Sequence, residues 1–415
     1  MSRKTILDQG DASVSPFSIG RLPEHGKVVP MLKHRFERAL SLDPQRLHFA
    51  AHSHHLWPDV TFDAQVRAWA EANKFADRKW DLIFSEVIPQ AQGHVARQLG
   101  LPGPDSVVFS SNTHDLLLRI VSAVETKPVR ILTTDGEFHS FRRQSQRWEE
   151  AGKVVLTQVP LEPAETFEER FRIAAEAGGH DLIFVSQVFF RTGRLAGDLE
   201  ALARLSKPEG PWVVIDGYHG FMSEPTDLSA IHDRVFYLAG GYKYAMAGEG
   251  ACFLHAPDGF GARPVITGWF AEFGDLEGPA GGVQYRTDGG RFWGATFDVS
   301  ALYRFNAVQD MLTEEDLGVA DLNAHSLGLQ KRFQTAVQTS QDHAFADAEW
   351  LNPVVDGQPH ARFLALRLEK AAALKEALAE RGIIVDVRDD VIRFGFGPYQ
   401  DEADVDRLIT TCLEL

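Results

Sequence analysis

Two stretches carry the reading of this chain: Val213-Val214-Ile215-Asp216-Gly217-Tyr218-His219 and Tyr237-Leu238-Ala239-Gly240-Gly241-Tyr242-Lys243-Tyr244. Each begins as a short apolar run, the pattern of a strand buried on both faces. Each then sets an ionisable side chain just past that run. Asp216 ends the first, with His219 three residues on, and Lys243 follows the Gly240-Gly241 turn of the second. Ligands of open parallel sheets bind outside the carboxyl ends of the strands, so Asp216 and Lys243 are expected to open onto one crevice.

Outward from these stretches, residues 107–110, 131–133, 154–157, 181–186 and 251–255 are further short apolar runs, most of them separated by helix-length polar segments. Leu116, Leu117, Ile120, Val121 and Val124 recur at helical spacing after the first of these runs. Strands alternating with helices predict an α/β fold, a mainly parallel seven-stranded-type sheet with helices on both faces. Farther on, residues 361–368 alternate, 371–381 are helical, 383–387 and 391–396 read as paired strands, and a helix starts at Asp401. That is a small α+β unit, joined to the sheet by a helical stretch over residues 299–336. The expected division is an N-terminal arm and helix over 1–45, a large cofactor-binding domain over 46–300, and a connector helix plus small C-terminal domain over 301–415. Pro16, Gly20, Pro23, Gly26 and Pro30 make the arm loose. Val66, Trp69 and Ala70, then Leu82, Ile83 and Val87, predict amphipathic helices broken at Pro89.

Of the 415 residues, 42 are Lys or Arg and 58 are Asp or Glu, a net charge of −16, which argues against nucleic acid or anionic lipid as a partner. Two cysteines, Cys252 and Cys412, cannot build a disulfide framework or a four-thiolate metal site, and their scarcity fits a reducing compartment. The polar start and the lack of any long apolar run predict a soluble, cytoplasmic protein with no membrane partner. Dinucleotide, P-loop, nucleophile-elbow and zincin motifs are missing. His52-Ser53-His54-His55 has the composition of a metal cluster, but adjacent imidazoles point different ways and no companion ligand follows at a suitable spacing. We read it as a polar loop lining a pocket and expect no metal.

The chemistry that needs a lysine and a carboxylate at neighbouring strand ends is that of an aldehyde cofactor. The lysine amine forms a Schiff base, and a buried carboxylate keeps the pyridine nitrogen of pyridoxal 5'-phosphate protonated so that the ring accepts electrons. Asn112 and Thr113, where a strand runs into a helix start, suit a phosphate. Phe138, after the run at 131–133, is placed to stack on the cofactor ring.

With these residues in place, the chain resembles the fold-type I, class V pyridoxal-phosphate enzymes, and among them kynureninase, from about Leu47 to Phe396. The most specific stretch is Asp216 and His219 followed by Tyr242 and Lys243. The resemblance implies an aspartate aminotransferase-like fold, with Lys243 as the cofactor-bearing lysine and proton shuttle. It implies Asp216 as partner of the pyridine nitrogen, with His219 close to it, Tyr242 and Thr113 as phosphate contacts, and Phe138 as the stacking ring. Gly268-Trp269-Phe270 and Gly294-Ala295-Thr296 match segments whose Trp269 and Thr296 would reach the phosphate of the other subunit, which implies a homodimer with shared sites. Arg393 matches the arginine that clamps the substrate carboxylate, a task suited to a guanidinium fork.

Three departures fall on the substrate side. His52-Ser53-His54-His55 stands for the usual N-S-L-G, so His52 and Ser53 become the substrate-binding candidates there. Residues 75–84 replace a segment with H, G, P and W, and Phe141 replaces an aspartate expected three residues after the stacking ring. The leading expectation is a kynureninase-like hydrolase cleaving the Cβ–Cγ bond of L-kynurenine or a related 3-acyl-alanine to alanine and an acid. The alternative is a class V aminotransferase or lyase acting on another amino acid. Sulfur transfer ranks last among these, because it needs a thiol on a mobile loop. A non-catalytic binding protein is the third reading, weighed against by intact Lys243, Asp216 and Arg393.

Overall fold

The apolar runs pair into one sheet among the described residues, which in this computed structural model are 32–272 and 282–415. Its strands are β1 (Val107–Ser110), β2 (Val129–Thr134), β3 (Val154–Val159), β4 (Leu182–Ser186), β5 (Trp212–Asp216), β6 (Val235–Gly240) and β7 (Cys252–His255). They lie in the order β1-β7-β6-β5-β4-β2-β3, with β7 antiparallel to both its neighbours and every other pairing parallel. β1, β4, β6 and β7 are buried along their whole length, and β3 at the edge exposes Val155. Uninterrupted apolar runs are what a sheet covered on both faces requires, each buried aliphatic side chain contributing ~2 kcal/mol.

Helix α1 (Val60–Phe75) packs on α4 (Ser300–Glu314), while α2 (Thr113–Ala123) and α3 (His139–Glu150) follow β1 and β2. A C-terminal antiparallel sheet orders β8 (Glu349–Trp350), β9 (Phe363–Arg367), β10 (Asp386–Arg388) and β11 (Val391–Gly395) as β10-β11-β9-β8. Against it lie α5 (Val319–Thr339) and α6 (Glu402–Leu413), whose inner faces share one apolar cluster with β9 and β11. Leu47–His48 pairs with Ile383–Ile384, and Ala50 bridges Gly395, which seats the segment leading to His52 against the C-terminal sheet.

Several expectations change. Pro89 does not break its helix: it sits in the first turn of Ile88–Gln98, which follows π-helical Ile83–Val87. Proline has no amide to continue the ladder, and it falls where the wider π turn, with Ile88 N donating to Ile83 O, gives way to α-helix. The connector is two helices, α4 and α5, parted where Asp316 adopts a positive φ of 54° and the Asp321 carboxylate accepts from Gly318 N at 2.9 Å. The single strand expected over residues 383–387 is two, Ile383–Ile384 and β10, which serve different sheets. Of the arm, residues 1–31 lie outside the described residues; Leu32–Phe36 is a short helical turn with Leu32 and Phe36 buried. Among the described residues, no helix is long and apolar enough to cross a membrane.

Candidate active site

β5 and β6 run parallel, with Asp216 opposite Leu238, so both strands deliver their carboxyl ends to the same edge. At the end of β5, Asp216 Oδ1 accepts from Tyr218 N at 2.9 Å, and Gly217 N donates to Leu238 O at 2.8 Å. A Cβ on Gly217 would lie 2.0 Å from the Tyr237 ring, so only glycine allows this close approach. At the end of β6, a Cβ on Gly240 would meet Cys252 Sγ at 2.6 Å. The loop beyond is pinned by Gly241 N to Ala251 O (2.9 Å) and Met246 N to Lys243 O (2.9 Å), which fixes the backbone that carries Lys243.

These side chains face a cavity of about 810 Å³. Lys243, Asp216, His219, Tyr242, Asn112, Thr113 and Phe138 all line it, as do Tyr218, Cys252 and Arg143. Lys243 Nζ donates to His219 Nε2 and lies 4.9 Å from the Tyr218 ring centroid and 5.5 Å from that of Phe138. Burial pushes the Lys243 ammonium down to about 7, against the opposing pull of the Asp216 charge. Burial raises the Asp216 carboxyl and, with the Lys243 charge, holds His219 well below its ordinary value, so that imidazole is neutral. His219 Nδ1 is buried with no hydrogen-bond partner among the described residues.

At the start of α2 the cap is Asn112, whose side chain accepts from Asp115 N at 2.8 Å; Thr113 is the first helical residue, not the cap. Phe138 has extended backbone just before α3 and keeps 40% of its surface exposed. Tyr242 hydroxyl pairs with His54 Nδ1 at 2.8 Å, a contact that sequence spacing did not reveal.

Other expected residues are placed differently. His52 is fully buried, stacks on Phe363 at 4.6 Å and lies 3.8 Å from the Asp386 carboxylate; neither it nor Ser53 lines the cavity. His55 Nδ1 faces Leu56 O, so the three imidazoles have three separate environments. Arg393 is expected to present an open fork. Instead it is buried, donating to Asp386 Oδ2 and to Phe190 O, and Asp386 is its register partner across β10 and β11. A guanidinium taken from water needs a counter-ion, and within the fold Asp386 is that counter-ion. Trp269 Nε1 donates to Thr296 Oγ1 at 2.9 Å, and neither lines the cavity of its own chain.

The sequence reading missed Glu137. It is buried beside Asp216, accepting from Ser186 Oγ at 2.5 Å and Thr134 Oγ1 at 2.7 Å, and burial raises its carboxyl to about 8. Its one signal was position, an acidic residue just past the end of β2. Phe141, in place of the expected aspartate, is a core residue stacked on Phe184 at 3.8 Å. Both thiols are buried. Burial pushes Cys252 up to about 12 and raises Cys412 as well.

A family model described as the kynureninase C-terminal domain matches residues 322–412. A probable cysteine desulfurase of Vibrio cholerae is 21% identical over 370 residues, which span 85% of this chain and 89% of that protein. Among solved structures, a cystine C–S lyase in complex with its reaction product cysteine persulfide superposes with a TM-score of 0.76 at 16% identity, covering 91% of this chain and 99% of that one. An apo cysteine desulfurase from Thermococcus onnurineus gives 0.75 at 17% identity, covering 94% and 99%. The chain has their fold. It is the architecture expected from the strand pattern, a large mainly parallel sheet with a small C-terminal sheet domain, and it matches the fold-type I arrangement that the resemblance implied.

Proposed function

We propose that this protein is a pyridoxal-phosphate-dependent enzyme of the class V type that acts on an amino acid, and that its reaction is a lyase reaction, elimination of a leaving group from Cβ. The observation that carries the cofactor is Lys243 and Asp216 facing one cavity from neighbouring strand ends, the lysine with its ammonium lowered to about 7. The remaining groups fit as well: the orphaned buried Nδ1 of His219, the half-exposed ring of Phe138, and the helix start at Asn112 and Thr113. When bound, pyridoxal phosphate supplies an aldehyde for a lysine amine and a protonated ring that withdraws electrons from Cα.

Lys243 would hold the cofactor and then move the Cα proton, with neutral His219 accepting a hydrogen bond from its amine. Asp216 would hold the proton of the pyridine nitrogen. Phe138 would cover the ring face, while Thr113, Asn112 and Tyr242, the last steadied by His54, would meet the phosphate. In the elimination the Cα–H electron pair forms Cα=Cβ as the Cβ bond breaks. The leaving group departs with its electrons and takes a proton, and the released enamine hydrolyses to a 2-oxo acid and ammonia.

The cystine C–S lyase and cysteine desulfurase neighbours support lyase chemistry at Cβ. The state of the cysteines favours elimination over sulfur transfer, since both thiols are buried and raised, the opposite of an acceptor thiolate. Kynurenine hydrolysis stands as the second reading, favoured by the match over residues 322–412 and opposed by Phe141 in the core. Trp269 and Thr296, outside their own chain's cavity, support a homodimer in which each reaches the partner's phosphate.

The test is to load purified protein with pyridoxal phosphate and supply L-cystine, L-cysteine or L-kynurenine. Pyruvate with ammonia from a sulfur substrate is the expected result. Alanine with anthranilate from kynurenine would establish the second reading, alanine from cysteine would establish sulfur transfer, and no visible absorbance from bound cofactor would overturn the assignment.

A further inference from the structure

We propose that Glu137 is a positioning residue that, when protonated, donates to Ser186 Oγ and so turns the serine hydroxyl into a hydrogen-bond donor toward the cofactor ring. The pair of residues stands on the fold alone; its action on the ring deepens the reading above and rests on it.

The hydrogen bonds fix where that proton goes. Glu137 Oε1 accepts from Thr134 Oγ1 at 2.7 Å and from Ser186 N at 3.3 Å. Thr134 Oγ1 itself accepts from Gly136 N at 3.1 Å, so its own hydrogen is directed at the carboxyl. Two donors thus fill the two lone pairs of Oε1. A proton on Glu137 therefore sits on Oε2, and Oε2 lies 2.5 Å from Ser186 Oγ, the separation of a strong O–H···O bond.

A serine hydroxyl has one hydrogen to give. With Glu137 ionised, that hydrogen goes to Oε2, and Ser186 can only accept from the cavity. With Glu137 protonated, Oε2 is the donor and the serine hydrogen is free to turn outward. Ser186 lines the cavity and Glu137 does not, so the carboxyl, 2% exposed, reaches the site through the serine. Strand register sets Ser186 of β4 opposite Asp216 of β5, which places the hydroxyl beside the carboxylate assigned to the pyridine nitrogen. No proton passes to the ring: ionisation releases the Glu137 proton to water, while Ser186 keeps its own and rotates.

The surroundings keep Glu137 protonated at neutral pH. Burial raises its carboxyl to about 8, the Asp216 charge acts in the same direction, and the bonds from Ser186 and Thr134 oppose both. From β2 and β4 it meets the uncharged Thr134 and Ser186, and from β5 it faces Asp216. The ionisable groups that open α3, His139 and Arg142, bond each other at 3.3 Å. In the folded protein the donor form of Ser186 is therefore the one presented below about pH 8.

The experiment has two arms. In the first, infrared difference spectra of the apoprotein follow the carbonyl stretch of a protonated carboxyl as pH rises. The wild type should show a band that fades with a midpoint near 8, missing from Glu137→Gln and shifted in Ser186→Ala, which removes its hydrogen-bond partner. In the second, protein loaded with pyridoxal phosphate is titrated in the visible. Its absorbance should change with the same ionisation, at or below about pH 8 because a pyridinium beside Asp216 offsets that carboxylate's charge. The change should be lost in Glu137→Gln and in Ser186→Ala and kept in Ser186→Thr, which retains the hydroxyl. A midpoint near the ordinary 4.5, a band unmoved by Ser186→Ala, or an absorbance change with this midpoint retained in Glu137→Gln or Ser186→Ala overturns the proposal. A titrating band in a protein that never acquires visible absorbance overturns the cofactor reading while leaving the pair of residues in place. Circular dichroism of each variant guards against misfolding, and Ser186→Ala carries the test if Glu137→Gln does not fold.

Discussion

Lys243 Nζ donates a hydrogen bond to His219 Nε2, and both side chains are buried at the carboxyl edge of the large sheet. The neutral imidazole can accept only because its own ionisation is suppressed by burial and by the neighbouring Lys243 charge. The contact orients the lysine amine, while burial lowers the ammonium from 10.5 to about 7 against the pull of the Asp216 charge. A substantial share of the amine is therefore neutral near physiological pH.

Uptake of pyridoxal phosphate by the apoprotein should accelerate with pH up to about 7 and level off above it, because only the unprotonated amine attacks an aldehyde. Stopped-flow absorbance from about pH 5.5 to about pH 9, which brackets that ionisation, reads this directly. Lys243→Ala should abolish attachment and lower turnover by ~10²–10⁴. Between about 7 and 10.5 the unfolded chain holds a proton that folded Lys243 has lost, so this residue's contribution to stability improves as pH rises through that window.

Glu137 gives the opposite slope. Its folded carboxyl ionises near 8 against an ordinary 4.5, so between these values the folded protein holds a proton that the unfolded chain does not, and stability falls as pH rises. Glu137→Gln keeps the shape and an acceptor for Ser186 while removing the titration. Its Tm should exceed that of the wild type by a margin that grows from pH ~5 to pH ~8; a margin constant with pH would show that Glu137 does not titrate in this window.

Asp216→Asn should leave Lys243 able to hold the cofactor, and so preserve visible absorbance, while lowering turnover by ~10²-fold or more through loss of charge stabilisation. Full activity in this variant would mean that Asp216 does not partner the pyridine nitrogen.

The double variant Cys252→Ser/Cys412→Ser should keep turnover within about threefold, since burial raises both thiols away from the thiolate that a sulfur acceptor needs. Loss of turnover in a folded double variant, with wild-type absorbance, would restore the sulfur-transfer reading.

If Trp269 serves the partner's site, Lys243→Ala and Trp269→Ala subunits mixed and reassembled should regain activity. One of the two sites in a mixed dimer then has both residues intact. No regain, with mixed dimers demonstrated by sedimentation and mass spectrometry, would place Trp269 in its own chain's site or outside the site.

The sequence by itself determined the large sheet and the pairing of Lys243 with Asp216. Buried parallel strands must be continuous apolar runs, and a polar residue at the end of such a run necessarily reaches the carboxyl edge, where ligands bind. These are local relations, readable within a dozen residues. The connector's break at Asp316 and the helical place of Pro89 were less readable, because they rest on backbone geometry rather than side-chain pattern. Only the tertiary structure decided how Arg393, His52, His54 and Glu137 are employed. Arg393 and Asp386 are brought opposite one another by strand register, Tyr242 meets His54 across a long stretch of chain, and Glu137 is sealed in beside Ser186. The free energy of a buried charge depends on which partners surround it, and those partners come from segments far apart in sequence. The placement of Asp216 and Lys243 at the strand ends was therefore written locally, while the partners of Arg393, Tyr242 and Glu137 come from contacts that exist only in the folded chain.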